Sequence, residues 1–300
     1  MLLESVLIIA IFTNISLGIF VLISDLNSLS NKVFFVFSFI AAIWTLFDYM
    51  TGVSTSIWWM NLSYACGSLV IGTGLIWTFV LTDKNISTQK TVLIIASSIS
   101  IFVCSLIPGS ITNTYDQSYL AIIANGTTGN GVILYLFYYI ILATLIIWKL
   151  VRSQKYSASD IEKTQLRIIS LGALIAIFLS LIDSALPMLY GMSIWGIDSI
   201  GFLIFQVLVL YSITKHHFLN IKVITIELIT FILWIFIIIR IVIAQDIREM
   251  FAEGSLLIVC IVFGILLIRS TLFEINQNEH IEKLANELRE AYKKIMLLTK

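Results

Sequence analysis

The segment Val132–Val151 reads VILYLFYYIILATLIIWKLV, twenty residues in which Lys149 is the single charged side chain. A helix of about 20 apolar residues crosses the ~30 Å hydrocarbon core of a bilayer. The apolar run is continuous, whereas a transmembrane β-strand alternates over about ten residues. The segment therefore predicts a transmembrane helix.

The composition of the whole chain points the same way. Of its 300 residues 59% are hydrophobic and only 12% are charged, and the mean hydropathy is +1.01. Soluble domains are about half apolar and about a quarter charged, so this chain needs lipid as its solvent. The only two prolines, Pro108 and Pro187, suit long uninterrupted helices. We predict an all-α, polytopic membrane helix bundle that crosses the cell (cytoplasmic) membrane several times.

About nine spans are expected. The first opens with an acid and has no basic region, so we interpret it as a membrane span and not as a signal peptide. The ninth reaches spanning length only if its interfacial ends are counted. The predicted spans are Ser5–Ile23, Val33–Met50, Ile57–Thr82, Thr91–Pro108, Val132–Val151, Leu166–Leu189, Gly196–Thr214, Val223–Ala244 and Ser255–Ile268.

The basic residues predict the orientation, because cytoplasmic loops carry the excess of Lys and Arg. One set of alternate connections contains Arg248 alone, with Arg240 inside a span near the same face. The connection 109–131 has no Lys or Arg. We therefore expect the N-terminus outside and the C-terminus inside, which requires an odd number of spans. The opposite set is Lys32, Lys84, Lys90, Lys149, Arg152, Lys155, Lys163, Arg167, Lys215, Lys222 and all basic residues from Arg269 onward.

Aromatic and turn-forming residues add two local expectations. Tryptophans at helix ends favour an interfacial aromatic belt. In the connection 109–131, the apolar run Tyr119–Ala124 meets Asn125-Gly126, which predicts a small β-hairpin, the alternative being an irregular loop. The belt residues are Trp58, Trp59 and Trp195 at predicted outer ends and Trp77 and Trp148 at inner ends.

The C-terminal segment 271–300 has a different pattern. Apolar residues recur there at intervals of three and four, which predicts an a/d heptad seam over about three heptads. A cytoplasmic coiled coil that pairs two copies of the chain is favoured, and an amphipathic helix on the membrane surface is the alternative. The seam residues are Ile281, Leu284, Leu288, Ala291, Ile295 and Leu298.

Four ionisable residues lie inside predicted spans, toward the outer face: Asp48, Asp183, Asp198 and Arg240. Charges within a membrane are costly and mark functional sites or paired contacts. One interpretation is a buried Asp–Arg pair that fixes helix packing. The other is a ligand pocket open to the outside.

No motif for catalysis or for phosphate binding is found. The three cysteines lie in apolar runs without metal-ligand spacing, and the net charge is zero. We therefore expect no catalytic residue, no metal, no cofactor and no nucleic acid partner, and we predict that the chain is not an enzyme.

Several stretches carry a resemblance to a known family. They are Gly129–Tyr138 (GNGVILYLFY), Leu210–Ile221 (LYSITKHHFLNI), Gly264–Ser270 (GILLIRS) and Glu282–Ala291 (EKLANELREA). Residues 1–222 resemble the N-terminal seven-transmembrane sensor region of bacterial membrane histidine kinases. Residues 223–300 look like the helical hairpin and signalling coiled coil that follow it in one group of these kinases.

The resemblance implies three parts: a seven-helix sensor-like domain at 1–222, a transmembrane hairpin at 223–270 and a signalling coiled coil at 271–300. It also implies a kinase core, with a phosphorylated histidine and an ATP-binding domain, which these 300 residues do not contain. The expected function is a sensory input module in two-component signal transduction. It would form a homodimer in the lipid bilayer and act on a separate kinase or response partner. The alternative is a transporter or permease-like protein.

Overall fold

The computed structural model describes residues 2–54, 56–83, 86–116, 123–157 and 159–216, and short helical stretches between 233 and 277. The chain divides into two compact units, Met1–His216 and His217–Lys300. This division lies close to the boundary predicted at residue 222.

Seven helices and three short strands form the first unit, so the predicted all-α class is confirmed in the coarser form of a nearly all-helical fold. Helices α1 to α6 are long and apolar enough to cross a membrane, whereas the apolar part of α7, Ile197–Ser212, is shorter. The elements are α1 Leu2–Ser24, α2 Leu29–Val53, α3 Ile57–Asp83, α4 Thr88–Leu106, β1 Thr112–Asp116, β2 Ile123–Thr128, α5 Gly131–Tyr156, α6 Asp160–Tyr190, β3 Met192–Ile194 and α7 Ile197–His216.

Local sequence determines where two of the helices begin. The hydroxyl of Ser28 accepts a hydrogen bond from the Asn31 N–H, and that of Ser87 accepts one from the Lys90 N–H, both at 3.4 Å. A serine in this position satisfies one of the free N–H groups of the first helical turn. Helices α2 and α4 therefore start directly after short polar connections.

Six of the helices close into a ring. In the order α1, α2, α3, α5, α6, α7, each packs against the next, and α7 packs against α1. Helix α4 lies outside this ring, against α3 and α5. The six helices of the ring therefore surround a common interior.

Helices α3, α4 and α5 meet at small and hydroxyl-bearing residues. A Cβ atom at Gly72 would overlap the Ser98 hydroxyl, so the backbone approaches closely there. The Tyr138 hydroxyl lies 2.8 Å from the Ser98 hydroxyl and donates to the Ser68 carbonyl at 2.9 Å. Small residues and interhelical hydrogen bonds are the usual means of packing helices in lipid.

A three-stranded antiparallel sheet, in the order β1-β2-β3, lies at one end of the bundle, which we call the sheet end. The predicted hairpin is present as β1 and β2, but its turn was assigned wrongly. Asn125 and Gly126 lie within β2, opposite Asp116 and Tyr115. The third strand comes from the α6–α7 connection, and no local signal indicated it.

The belt interpretation is wrong for two of the tryptophans. Trp77 and Trp195 are buried, with 3% and 4% of their surface exposed, and both contact other helices. Trp58 and Trp148 are about half exposed, as an interfacial position requires. Hydropathy alone cannot separate these cases, because all four lie near the end of an apolar run.

Some predictions fall outside the described residues. These are most of the eighth span, Arg240 and the heptad seam. The seam residues concerned are Ile281, Leu284, Leu288, Ala291, Ile295 and Leu298. The ninth predicted span is largely described, and there the apolar helix Gly254–Gly264 is shorter than the six long ones.

Candidate functional site

The interior of the helix ring contains a cavity of about 90 Å³. Helices α2, α3, α5, α6 and α7 line it, whereas α1 and α4 do not. On α6, Ile169 and Asp183 both line it and lie fourteen residue steps apart, or about 21 Å along the helix. The cavity is therefore long and narrow and follows the bundle axis.

The polar lining residues gather at the sheet end. Two carboxylates, Asp183 and Asp198, lie there near the end of α6 and the start of α7. Tyr64 and Tyr135 face each other beside them, with ring centroids 5.0 Å apart and nearly perpendicular planes. The other polar lining residues of this end are Ser63, Tyr139, Ser180 and Ser184.

The remaining length of the cavity is apolar apart from Thr78, whose hydroxyl donates to the Gly74 carbonyl of its own helix. An aromatic wall is built from α2, α3 and α7, in which the Phe37 ring stacks on Trp77 at 6.0 Å and meets the edge of Phe202 at 5.4 Å. Phe205 completes this wall, 5.6 Å from Phe202. The cavity thus has a hydrogen-bonding end and a hydrophobic end.

Ser199 connects two of the three carboxylates that the sequence singled out. Its hydroxyl donates to Asp48 Oδ2 at 2.6 Å, and its backbone N–H donates to Asp198 Oδ1 at 2.7 Å. Asp48 and Asp198 are both buried, and only Asp198 lines the cavity. One residue thus holds two acids from distant helices side by side.

Asp183 has no such support. Of the residues that the structure describes, none forms a hydrogen bond or an ion pair with its carboxylate, which is half-buried and lines the cavity. It lies within electrostatic range of both Asp198 and Asp48. The structure therefore brings together Asp48, Asp183 and Asp198, while the fourth residue of the predicted cluster, Arg240, is outside the described chain.

The α6–α7 connection is hydrogen-bonded to α2 and packs against it at the sheet end. The indole N–H of Trp195 donates to the Asp48 carbonyl at 2.8 Å. Its ring lies directly on Gly52, where any Cβ atom would overlap it. Gly196 follows Trp195 with a φ of +74° and leads directly into α7, so this contact lies at the start of that helix. Sequence reasoning assigned Trp195 to the aromatic belt and missed Ser199, because neither belongs to a recognisable motif of a site.

No described Lys or Arg lines the cavity. Two ion pairs between described residues lie elsewhere, Lys149–Asp83 at 2.6 Å and Lys163–Asp160 at 3.3 Å. In the described part of the chain, no three His, Cys, Asp or Glu side chains are grouped so that they could hold a metal ion. The cavity is suited to an organic molecule that satisfies carboxylates at one end.

Comparison of the chain with protein-family models, with curated proteins and with solved structures gives no match.

Proposed function

We propose that this chain is the membrane sensory module of a histidine-kinase-like signal transduction protein in the cell membrane. In this proposal nine spans place the N-terminus outside and the C-terminus inside. A stimulus at the sheet end shifts the helix ring, and the last helix relays the shift to a dimeric coiled coil along Ile281–Leu298. A kinase core that the 300 residues do not contain, or a separate partner chain, reads the change.

The observation that carries this proposal is the cavity inside the helix ring with its carboxylates. A narrow binding site inside a closed ring of helices can be explained without catalysis or transport. Ligand sensing, by contrast, requires a binding site. Helix α7 contributes Asp198 and Phe202 to the cavity and ends at His216, where the first unit ends. A guest that changes the position of α7 would therefore act on the helix that leads to the C-terminal unit. The resemblance of residues 1–222 to kinase sensor regions supports the same assignment.

The transporter alternative is less well supported. Many transporter cores use discontinuous helices whose broken ends bind substrate near the membrane midplane. Helix α3, the most enclosed of the described helices, runs without interruption from Ile57 to Asp83, and α6 from Asp160 to Tyr190. No broken helix is seen in residues 2–216 where the structure describes them.

The test measures crosslinking between two copies along the heptad seam and asks whether a substitution in the cavity changes it. Single cysteines are placed at the six seam positions and at two positions off the seam, Lys283 and Arg289, in a background without the native cysteines. Crosslinking in membranes should peak at the seam positions, because two copies bury one apolar stripe against the other. Tethering to the bilayer raises the effective concentration of the two helices, which compensates for their short length.

The same crosslinking is then measured with Ala176→Leu, which adds volume inside the cavity, and with Leu174→Phe, a control on the exposed face of the same helix. We expect the cavity variant to change crosslinking along the seam and the control to leave it unchanged. A flat crosslinking profile, or one that ignores the cavity variant, would contradict the proposed relay.

A further inference from the structure

We propose that the cavity binds a small unbranched aliphatic amine. Its protonated amino group would lie between Asp183 and Asp198, and its hydrocarbon chain along the apolar wall toward Phe202 and Ile177. This inference rests on the proposed sensory function, for which it names the chemical class of the stimulus.

The first argument is that the two carboxylates have no positively charged partner among the described residues. Asp198 is only 8% exposed, and the described donors to its carboxylate are the neutral backbone N–H groups of Ser199 and of Asp198 itself. Asp183 receives no hydrogen bond from any residue that the structure describes. Carboxylates removed from water need donors and a compensating charge. An ammonium group supplies three donors and a positive charge in one compact unit.

The neighbouring groups strengthen this argument. Asp48 adds a third acid next to the pair, through Ser199, and carboxylates that share a buried site repel one another when ionised. The rings of Tyr64 and Tyr135 border the same end of the cavity, and aromatic faces attract cations. The described wall offers no cation of its own. A positively charged guest is thus favoured over a neutral or an anionic one.

Size and shape narrow the ligand further. An apolar cavity of ~150 Å³ holds one benzene molecule, so a cavity of about 90 Å³ takes a smaller or a more slender guest. The lining extends along α6 for about 21 Å, which excludes a compact ring of that volume and favours an unbranched chain. A bare metal ion is disfavoured, because the apolar walls below Asp183 offer it no ligands.

The experiment measures binding to the full chain in phosphatidylcholine nanodiscs at pH 7. The probes are hexylamine, hexanol and hexanoate, which share one chain length and differ in the head group. Binding is followed by the intrinsic fluorescence of tryptophan, since Trp44 and Trp77 line the cavity. Hexylamine should bind about 10-fold or more tightly than hexanol, because a hydrogen bond to a charged group is worth about that factor. Hexanoate should not bind.

Variants then locate the site. Asp183→Asn should remove the advantage of hexylamine over hexanol, and Asp198→Asn should reduce it. Asp160→Asn is the matched control, because that carboxylate lies on the same helix as Asp183 but is exposed and does not line the cavity, and the advantage should remain. Ala176 lies about 10 Å along α6 from Asp183. Ala176→Leu should therefore weaken hexylamine more than butylamine.

Equal binding of hexylamine and hexanol by the wild-type chain would overturn the inference without any variant. An amine preference that survives in both Asp183→Asn and Asp198→Asn would also overturn the inference. If Arg240 instead compensates the carboxylates, the wild-type chain will show no amine preference, which is the same overturning result.

Seam crosslinking separates this inference from the proposed function. Amine binding without any change in crosslinking supports the ligand class and contradicts the relay. Crosslinking that responds to Ala176→Leu, in a chain without amine preference, supports the relay and contradicts the ligand class.

Discussion

Replacing Gly52 by alanine should destabilise the bundle by acting on one contact, the Trp195 ring that lies on it. A Cβ atom at Gly52 would overlap the ring, and even the ring atom Cδ2 would be only 2.5 Å away. Carbon atoms in contact lie about 3.5 Å apart, so the ring has to move by at least about 1 Å. Such a shift also strains the 2.8 Å hydrogen bond from the indole to the Asp48 carbonyl.

The expected magnitude follows from three terms. Overpacking a close-packed site costs ~1–3 kcal/mol, and loss of the indole hydrogen bond adds ~1 kcal/mol. Alanine in place of glycine within a helix returns ~0.5–1 kcal/mol. The net loss in the free energy of unfolding is therefore about 2 kcal/mol, and for a chain of this size each kcal/mol corresponds to a fall of ~2–4 °C in Tm.

The assay is thermal unfolding of the purified chain in detergent, followed by tryptophan fluorescence. Gly254→Ala serves as the matched control, because nothing lies within 4 Å of a Cβ atom at that helical position. Trp195→Phe should cost the hydrogen bond, ~1 kcal/mol, and in addition the packing of the part of the indole ring that is removed. The double variant Gly52→Ala/Trp195→Ala should lose less than the sum of the single variants Gly52→Ala and Trp195→Ala. Additive losses, or a Tm for Gly52→Ala equal to that of the control, would refute the reasoning.

Two further predictions concern topology and packing. A reporter that is active only in the cytoplasm should function when fused after Lys300 and be inactive when inserted within Asn113–Ala124, because the basic residues favour that orientation; the reverse pattern would reject it. Tyr138→Phe should lower the free energy of unfolding by ~1 kcal/mol, because the lost hydroxyl bonds to both Ser98 and the Ser68 carbonyl. Thermal unfolding measures this effect, and an unchanged Tm would mean that α3, α4 and α5 do not depend on this contact.

The helices could be predicted from the sequence because each is a local property. A run such as Val132–Val151 satisfies its own backbone hydrogen bonds as a helix, and no other part of the chain is needed for that. The six longest apolar helices accordingly lie where the first six predicted spans lie. Polar serines such as Ser28 and Ser87 also mark helix starts locally.

The candidate site could be predicted only in part. The presence of Asp48, Asp183 and Asp198 inside apolar runs was visible, because a carboxylate in a span is rare enough to stand out. Their mutual position was not visible, because α2 and α7 are about 150 residues apart in the chain. The same distance hides Ser199, which is an ordinary serine until the fold places it between two acids.

The β1–β2 hairpin was predicted correctly from a local signal, but the position of its turn was not. Asn125-Gly126 has the composition of a tight turn, and the sequence by itself determined that this connection could form strands. Only the tertiary structure decided the register, because β3, from the far side of α6, pairs with β2 at Ile123–Asn125 and keeps Asn125 within the ladder. Membrane spans and turn propensities act over a few residues, so the sequence alone determined them. The closed ring, its cavity and the pairing of strands depend on contacts between distant segments, and only folding brings those together.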